Sequence, residues 1–205
     1  MRHGGKILTE QLEAQGVDTV FMVPGESYLP VLDGLHDSNQ IRSIICRQEG
    51  GAAMMAETYG KITGRPGICM VTRGPGAANA MSGLHVAQQD STPMITFVGL
   101  PEQDTEDRDA FQEIDTKGLF SSFVKWSSVI RDVERIPEYV SRAFHAASSG
   151  RPGPVVLGLP EDMLGGKADL PAALAARVAG PAPAPADMAA LEKQLAKAKR
   201  PIMIV

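Results

Sequence analysis

Two hydrophobic rhythms alternate along this chain. Near-continuous apolar runs stand at 17–23, 41–46, 68–72, 93–98 and 154–159. Between them, apolar residues recur at helical spacing. Ile7, Leu8 and Leu12 do so within 5–15, and Leu29, Val31, Leu32 and Leu35 in the next segment. A third segment runs from Glu49 to about Ile62, and a fourth carries Ala77, Ala80, Met81, Leu84 and Val86. Short apolar runs read as buried strands and the spaced segments as helices with one inward face. The punctuation agrees with that division. Gly16 fits the left-handed residue that ends a helix, Gly64-Arg65-Pro66-Gly67 reads as a turn, and Ser27 or a neighbour is placed to cap the second helix. Strand and helix alternating at intervals of ~25 residues predict an α/β fold: a doubly wound, mainly parallel, Rossmann-like sheet with helices on both faces.

In such sheets ligands bind outside the carboxyl ends of the strands. Three unusual loops fall there: Pro24-Gly25, Gln48-Glu49 and the stretch Thr72-Arg73-Gly74-Pro75-Gly76. Beyond the fifth strand the pattern lapses into a polar stretch, 101–109, which at this length is a mobile surface loop or a functional one. Structure resumes with a helix-like segment at 115–123, an apolar run at 127–130 and a helix at 136–147 that stops at Gly150. From 170 to 187 the composition turns to Ala and Pro, with Pro171, Pro181, Pro183 and Pro185, the signature of a semi-rigid linker. Met188, Leu191, Leu195 and Ala198 then form one more amphipathic helix, and 201–205 starts a strand. The expected organisation is a domain over 1–169, a linker over 170–187, and the truncated opening of a second domain over 188–205.

Composition narrows the function only by exclusion. The 205 residues carry a net charge of −4 with acids and bases interspersed, so no nucleic-acid partner is expected. No apolar run reaches the ~18–20 residues of a membrane span, and a soluble cytoplasmic protein is the default. The two cysteines, Cys46 and Cys69, lie in apolar runs and read as reduced core residues.

The candidate chemistry centres on Glu49. An acid at a helix N-terminus is favoured by the helix dipole whether or not it does chemistry. The glycines and alanines after it let another helix or a ligand approach closely. Gly74-Pro75-Gly76 can be read as a phosphate cradle or as a tight turn that packs closely. The dinucleotide pattern is broken at Asn79, which is either a polar core residue or one that reaches a ligand. His36, His85 and His145 receive no role, and no acids stand at metal-ligand spacing, so no metal site is expected in this chain.

Four motifs recur in order and in register. They are Val20-Phe21-x-x-Pro24-Gly25; the run from Glu49 through Met55-Ala56, Tyr59-Gly60 and Thr63-Gly64 to Gly67; Thr72-x-Gly74-Pro75-Gly76-x-x-Asn79; and Ala110-Phe111-Gln112-Glu113. Together they resemble the N-terminal pyrimidine-binding domain of thiamine-diphosphate enzymes of the acetolactate synthase and pyruvate oxidase group, over about residues 4–165. The resemblance implies that Glu49 hydrogen-bonds N1′ of the cofactor's aminopyrimidine and shares a proton with it. It implies that Pro24 and Gly25 lie against the pyrimidine, that Thr72, Pro75 and Asn79 border the cofactor, and that Phe111 and Gln112 cover the reacting carbon, with the Gln112 amide on substrate. The Gly-Asp-Gly…Asn segment that holds diphosphate through Mg2+ in this family is not in the chain. That half of the site, and any FAD, would belong to other parts of a longer protein. A homodimer or tetramer is implied, with the helices carrying 52–56 and 77–84 packing closely across subunits. The implied activity is decarboxylation of a small 2-oxo acid followed by ligation, as in acetolactate synthase. A 2-oxo acid decarboxylase, pyruvate oxidase, glyoxylate carboligase or sulfoacetaldehyde acetyltransferase fits the same motifs. From a different class, a Rossmann-like nucleotide-binding or dimerisation module also fits. Two departures from the acetolactate synthase pattern, Glu26-Ser27 and Lys125-Trp126, bear on the exact reaction.

Overall fold

The computed structural model describes residues 1–204. The elements run β1 (Arg2–His3), α1 (Gly4–Ala14), β2 (Thr19–Met22), α2 (Leu29–Asp37), β3 (Arg42–Ile45), α3 (Glu49–Thr63), β4 (Gly67–Thr72), α4 (Arg73–Gln89), β5 (Met94–Leu100), α5 (Thr116–Phe120), β6 (Trp126–Val129), α6 (Ile136–Ser148), β7 (Pro154–Pro160), α7 (Glu161–Gly165), β8 (Lys167–Ala168) and α8 (Pro185–Lys197). A six-stranded sheet has the order β3-β2-β4-β5-β7-β6, and all of its pairings are parallel. The short β1 and β8 pair antiparallel beside it.

The central strands β4, β5 and β7 are covered on both faces, which is why they read as unbroken apolar runs. Their side chains divide by the two-residue period of a strand. Ile68, Met70, Ile95, Phe97, Val155 and Leu157 join the layer under α1, α2 and α6. Cys69, Val71, Met94, Val98 and Val156 join the layer under α3 and α4. The expected doubly wound sheet is therefore present, with every strand of the main sheet parallel.

Several local expectations are corrected. The apolar run at 41–46 is not a buried strand: β3 is the sheet edge, with Arg42 and Ser43 exposed and Ile45 59% exposed, because only one neighbour and one face cover it. Ser27 does not cap α2. It lies in a 3-10 turn, Glu26–Tyr28, and its hydroxyl bonds Thr72 instead. The helix expected over 115–123 is the shorter α5, capped by the Asp115 side chain on the N–H groups of Lys117 and Gly118. Residues 201–204 form no strand, and Val205 lies outside the described residues.

The stretch read as a linker is tied down at its start. Gln11 is fully buried; its side chain donates to the Ala173 carbonyl at 3.3 Å and accepts from the Ala173 N–H at 2.7 Å. One turn later Gln15 donates to Leu174 O at 3.1 Å and accepts from Ala176 N at 2.8 Å. Two amide side chains on α1 thus pair with extended backbone as a neighbouring strand would. The last helix, α8, begins at Pro185, inside the span assigned to the linker, and its Met188, Leu191 and Leu195 stay exposed.

Candidate functional site

The sheet order reverses the chain's direction between β2 and β4. The chain passes from β2 outward to β3, then returns across β2 to β4, so the crevice opens at the carboxyl ends of β2 and β4. Pro24 and Gly25 follow β2, Thr72 ends β4, and Glu49 opens the helix after β3. The three loops singled out in the sequence meet at that crevice.

Gly25 lies so close to β4 that a Cβ placed on it would stand 2.4 Å from the Thr72 Cβ. Only glycine permits that approach. The contact is fixed by a 2.6 Å hydrogen bond between the Ser27 and Thr72 hydroxyls and by the buried Tyr28, whose hydroxyl donates to the Val23 carbonyl. Burial, with smaller contributions from Cys69 and Glu49, pushes the Tyr28 phenol well above its ordinary value, so it remains a neutral donor. Pro24 is left exposed at the tip of the loop.

Glu49 is the first residue of α3, behind an N-cap made by the Gln48 side chain on Gly51 N at 2.8 Å. Its Oε2 accepts a 2.9 Å hydrogen bond from the Asn79 side chain on α4. Among the described residues Oε1 has no hydrogen-bond partner, and it stands 3.7 Å from where a Cβ on Gly76 would lie. Packing sets this pair. Gly83, one turn beyond Asn79, meets Ala53, one turn beyond Glu49, so closely that a Cβ on Gly83 would be 2.5 Å from the Ala53 Cβ. Ala52, Ala53, Ala56, Ala77, Ala80 and Leu84 are fully buried in the layer between α3, α4 and the sheet. The small-residue faces expected to pack across subunits are therefore occupied within the chain, where they bring Glu49 and Asn79 together.

Phe111 and Gln112 reach the same edge from the loop after β5. Gly74 N donates to Gln112 O at 2.9 Å, which ties the loop to the start of α4. Phe111 is 71% exposed, and its ring lies 5.5 Å from the Arg73 guanidinium carbon. Neither residue touches the Glu49 carboxylate; they form a second cluster, joined to the first through Thr72 and Arg73. Pro75 is exposed in the first turn of α4. Sequence reasoning gave Ser27 a helix-capping place instead, and assigned Arg73 and Glu161 no role. The one signal for Arg73 was a long cation placed directly between a strand end and a Gly-Pro-Gly turn.

The departure at Lys125-Trp126 falls away from this edge. Lys125 donates to the carbonyls of Ala146 and Ser149, while Trp126 stacks on Tyr139 under the Arg142 guanidinium. These residues hold α6 against the sheet. Among the described residues no group of three or more His, Cys, Asp or Glu could hold a metal, and no helix is long and apolar enough to cross a membrane. Both cysteines are free and buried.

The arrangement presents a carboxylate that can exchange a proton with a ligand at the crevice. One carboxylate oxygen lies beside Gly76, an amide holds the other, and Thr72 links Gly76 to Gly25 in the neighbouring loop. Comparison with known proteins gives the family. The family model described as "Thiamine pyrophosphate enzyme, N-terminal TPP binding domain" matches residues 2–119. The mitochondrial acetolactate synthase catalytic subunit of Saccharomyces cerevisiae is 42% identical over 160 residues, which is 78% of this chain and 23% of that protein. The acetolactate synthase isozyme 2 large subunit of Escherichia coli is 40% identical over 168 residues, covering 82% of this chain and 30% of that subunit. The isozyme 1 large subunit of the same organism is 36% identical over 202 residues, 98% of this chain and 36% of the subunit. The chain thus spans no more than about a third of these relatives' length. With more than half of its residues matched by the family model and the crevice built from the same segments, this chain belongs to the thiamine pyrophosphate enzymes, as their N-terminal TPP-binding domain.

Proposed function

We propose that this domain supplies the aminopyrimidine half of a thiamine-diphosphate site in an acetolactate-synthase-like enzyme. The observation that carries the reading is the Glu49 carboxylate, held by Asn79 through one oxygen and free at the other, at the switch point between β2 and β4. When bound, the cofactor supplies a centre that stabilises the carbanion left by decarboxylation of a 2-oxo acid. The chain's own residues manage the proton and the surroundings of the ring. Glu49 would hold and return a proton at a nitrogen of the bound ring through its carboxylate. Asn79 fixes the carboxylate's orientation through its side-chain N–H. Pro24 and Gly25 form the wall against the ring; Thr72 holds that wall, and Pro75 borders it. Phe111 would shield the reacting side from water, and the Gln112 amide would hydrogen-bond the substrate.

Pro24, Pro75, Asn79, Phe111 and Gln112 are all exposed, and this supports completion by another protein body. Leu29, Ile45, Met54 and Met55, all on or beside the segments that carry the site, are 38–59% exposed. The completing body would be the diphosphate-binding domain of a second subunit, holding Mg2+, within a homodimer or tetramer in the cytoplasm. FAD, if present, would belong to the part beginning near 188, beyond a 1–169 domain and a 170–187 connection. The substrates would be small 2-oxo acids, pyruvate as donor and a second 2-oxo acid as acceptor.

The decisive experiment is Glu49→Gln in the intact, cofactor-loaded protein, following exchange of the cofactor's C2 proton by quenched NMR. Loss of a proton-transfer group predicts a fall of ~10²–10⁴-fold. Unchanged exchange would remove Glu49 from the chemistry and favour a non-catalytic module.

A further inference from the structure

Arg73 occupies a backbone conformation that an arginine does not favour. Its φ is +44°, in the left-handed region, immediately after β4. Its side chain is only 14% exposed, and its Nε is sealed from solvent without a hydrogen-bond partner. Glycine would meet the backbone requirement at no steric cost and would bury no unpaired donor. Two unfavourable features at one residue persist only where the surroundings impose them, and such strain gathers at functional sites.

The guanidinium is gripped from two sides. Nη2 bonds the Glu161 carboxylate at 3.3 Å, at the start of the helix after β7. The guanidinium also packs on the Phe111 ring at 5.5 Å. The next residue, Gly74, donates its N–H to the Gln112 carbonyl. Gln112 is itself left-handed, with φ +60°, as are Asp107 and Asp109 in the same loop. A loop with this much unfavourable backbone needs external ties, and Arg73-Gly74 provides two of them side by side.

We propose that Arg73 is a positioning residue that bridges Glu161 to Phe111 and so fixes where Phe111 and Gln112 stand over the site. The inference rests on the proposed function only for its consequence in catalysis; the bridge itself is a statement about this chain. Through Phe111 and Gln112 it sets the space left for the acceptor.

The test uses the intact protein with Arg73→Gly and Arg73→Lys. Arg73→Gly relieves the backbone and deletes the bridge, so its Tm should hold or rise. Amide exchange across 106–113 should nevertheless speed up about tenfold. Arg73→Lys keeps the charge toward Glu161 but loses the planar face on Phe111, and should fall between wild type and Arg73→Gly. With pyruvate as donor, and pyruvate and its one-carbon-longer homologue competing as acceptors, the product ratio should shift at least threefold in Arg73→Gly. A residue that serves stability alone would lower Tm and leave that ratio unmoved. Unchanged exchange at 106–113 overturns the bridge. Faster exchange with an unchanged product ratio overturns its role in acceptor choice. Should Arg73→Gly fail to fold, Phe111→Leu removes the other end of the contact at an exposed position and must loosen the same amides. If wild type forms no product from any 2-oxo acid, the proposed function falls, while the exchange result still decides the bridge.

Discussion

Adding one methyl group one helical turn from the chemistry should separate the two halves of the carboxylate clamp. In Gly83→Ala the new Cβ would lie 2.5 Å from the Ala53 Cβ, 2.6 Å from its carbonyl carbon and 2.9 Å from Met54 N. Ordinary carbon contacts lie at about 3.5–4.0 Å, so α3 and α4 must part by roughly 1 Å at this crossing. Two of the three clashing atoms are backbone, which cannot rotate away. The crossing is one turn from Glu49 and Asn79, whose 2.9 Å hydrogen bond would stretch to about 3.9 Å, beyond bonding range. Two effects on stability oppose each other. Helix propensity favours alanine over glycine by ~0.8–1 kcal/mol. Overpacking a close crossing costs ~1–3 kcal/mol. The steric term wins, giving a net loss of about 1 kcal/mol by urea unfolding and slower exchange of the C2 proton in the loaded protein. Asn79→Ala should already remove the bond, so Gly83→Ala in that background should cost stability but add little to the exchange defect. A variant that is more stable than wild type, with normal exchange, would refute the argument that this crossing sets the Glu49–Asn79 distance.

Asn79→Asp places a second acid 2.9 Å from the Glu49 carboxylate. Two carboxylates at that distance do not both ionise, so cofactor affinity should become pH-dependent between roughly pH 4 and 7, as read by calorimetric titration. Gln11→Ala deletes both hydrogen bonds to Ala173 from a fully buried position. It should cost ~1–2 kcal/mol and raise amide exchange over 171–176, while exchange in the sheet stays unchanged. The Arg131 guanidinium holds the Glu106 carboxyl below the ordinary range through a bidentate contact. A lowered folded-state value means that stabilisation is complete above the unfolded glutamate's ~4.3 and lost as pH falls through the folded value. Protection of the 103–113 loop, corrected for intrinsic exchange, should therefore be flat above pH ~5 and decline below ~4. In Glu106→Gln it should be lower and without that acid decline.

Much of the fold was legible because its signals are local. The apolar runs that became β4, β5 and β7 are covered on both faces, so no polar residue interrupts them. Gly16, with φ +80°, is a backbone requirement that any sequence must meet with glycine or a substitute. The edge strand β3 was misread because Ile41, Ile44, Ile45 and Cys46 look the same in sequence whether one face or two are covered. The role of Gln11 and Gln15 was invisible because their partners lie about 160 residues away. Glu49 was legible by type and position, yet its orientation depends on Asn79, and that pairing depends on Ala53 meeting Gly83 across two helices. Ser27 shows the same limit: its residue type suits a helix cap, and tertiary packing gave its hydroxyl to Thr72 instead.

The small residues after Glu49 decide how the exposed face should be understood. If they formed a subunit interface, separating subunits would disturb the carboxylate directly. They are instead consumed in the α3–α4 crossing, so the Glu49–Asn79 pair is built by this chain alone and should survive in residues 1–205 expressed by themselves. On the half-site reading, the second wall and the hold on diphosphate come from elsewhere. The 205-residue chain should accordingly keep its fold and the Glu49–Asn79 hydrogen bond, bind the cofactor weakly by calorimetric titration, and convert no pyruvate. Clear carboligase or decarboxylase activity from these residues alone would mean that the exposed face is a complete site, and the half-site reading would have to be abandoned.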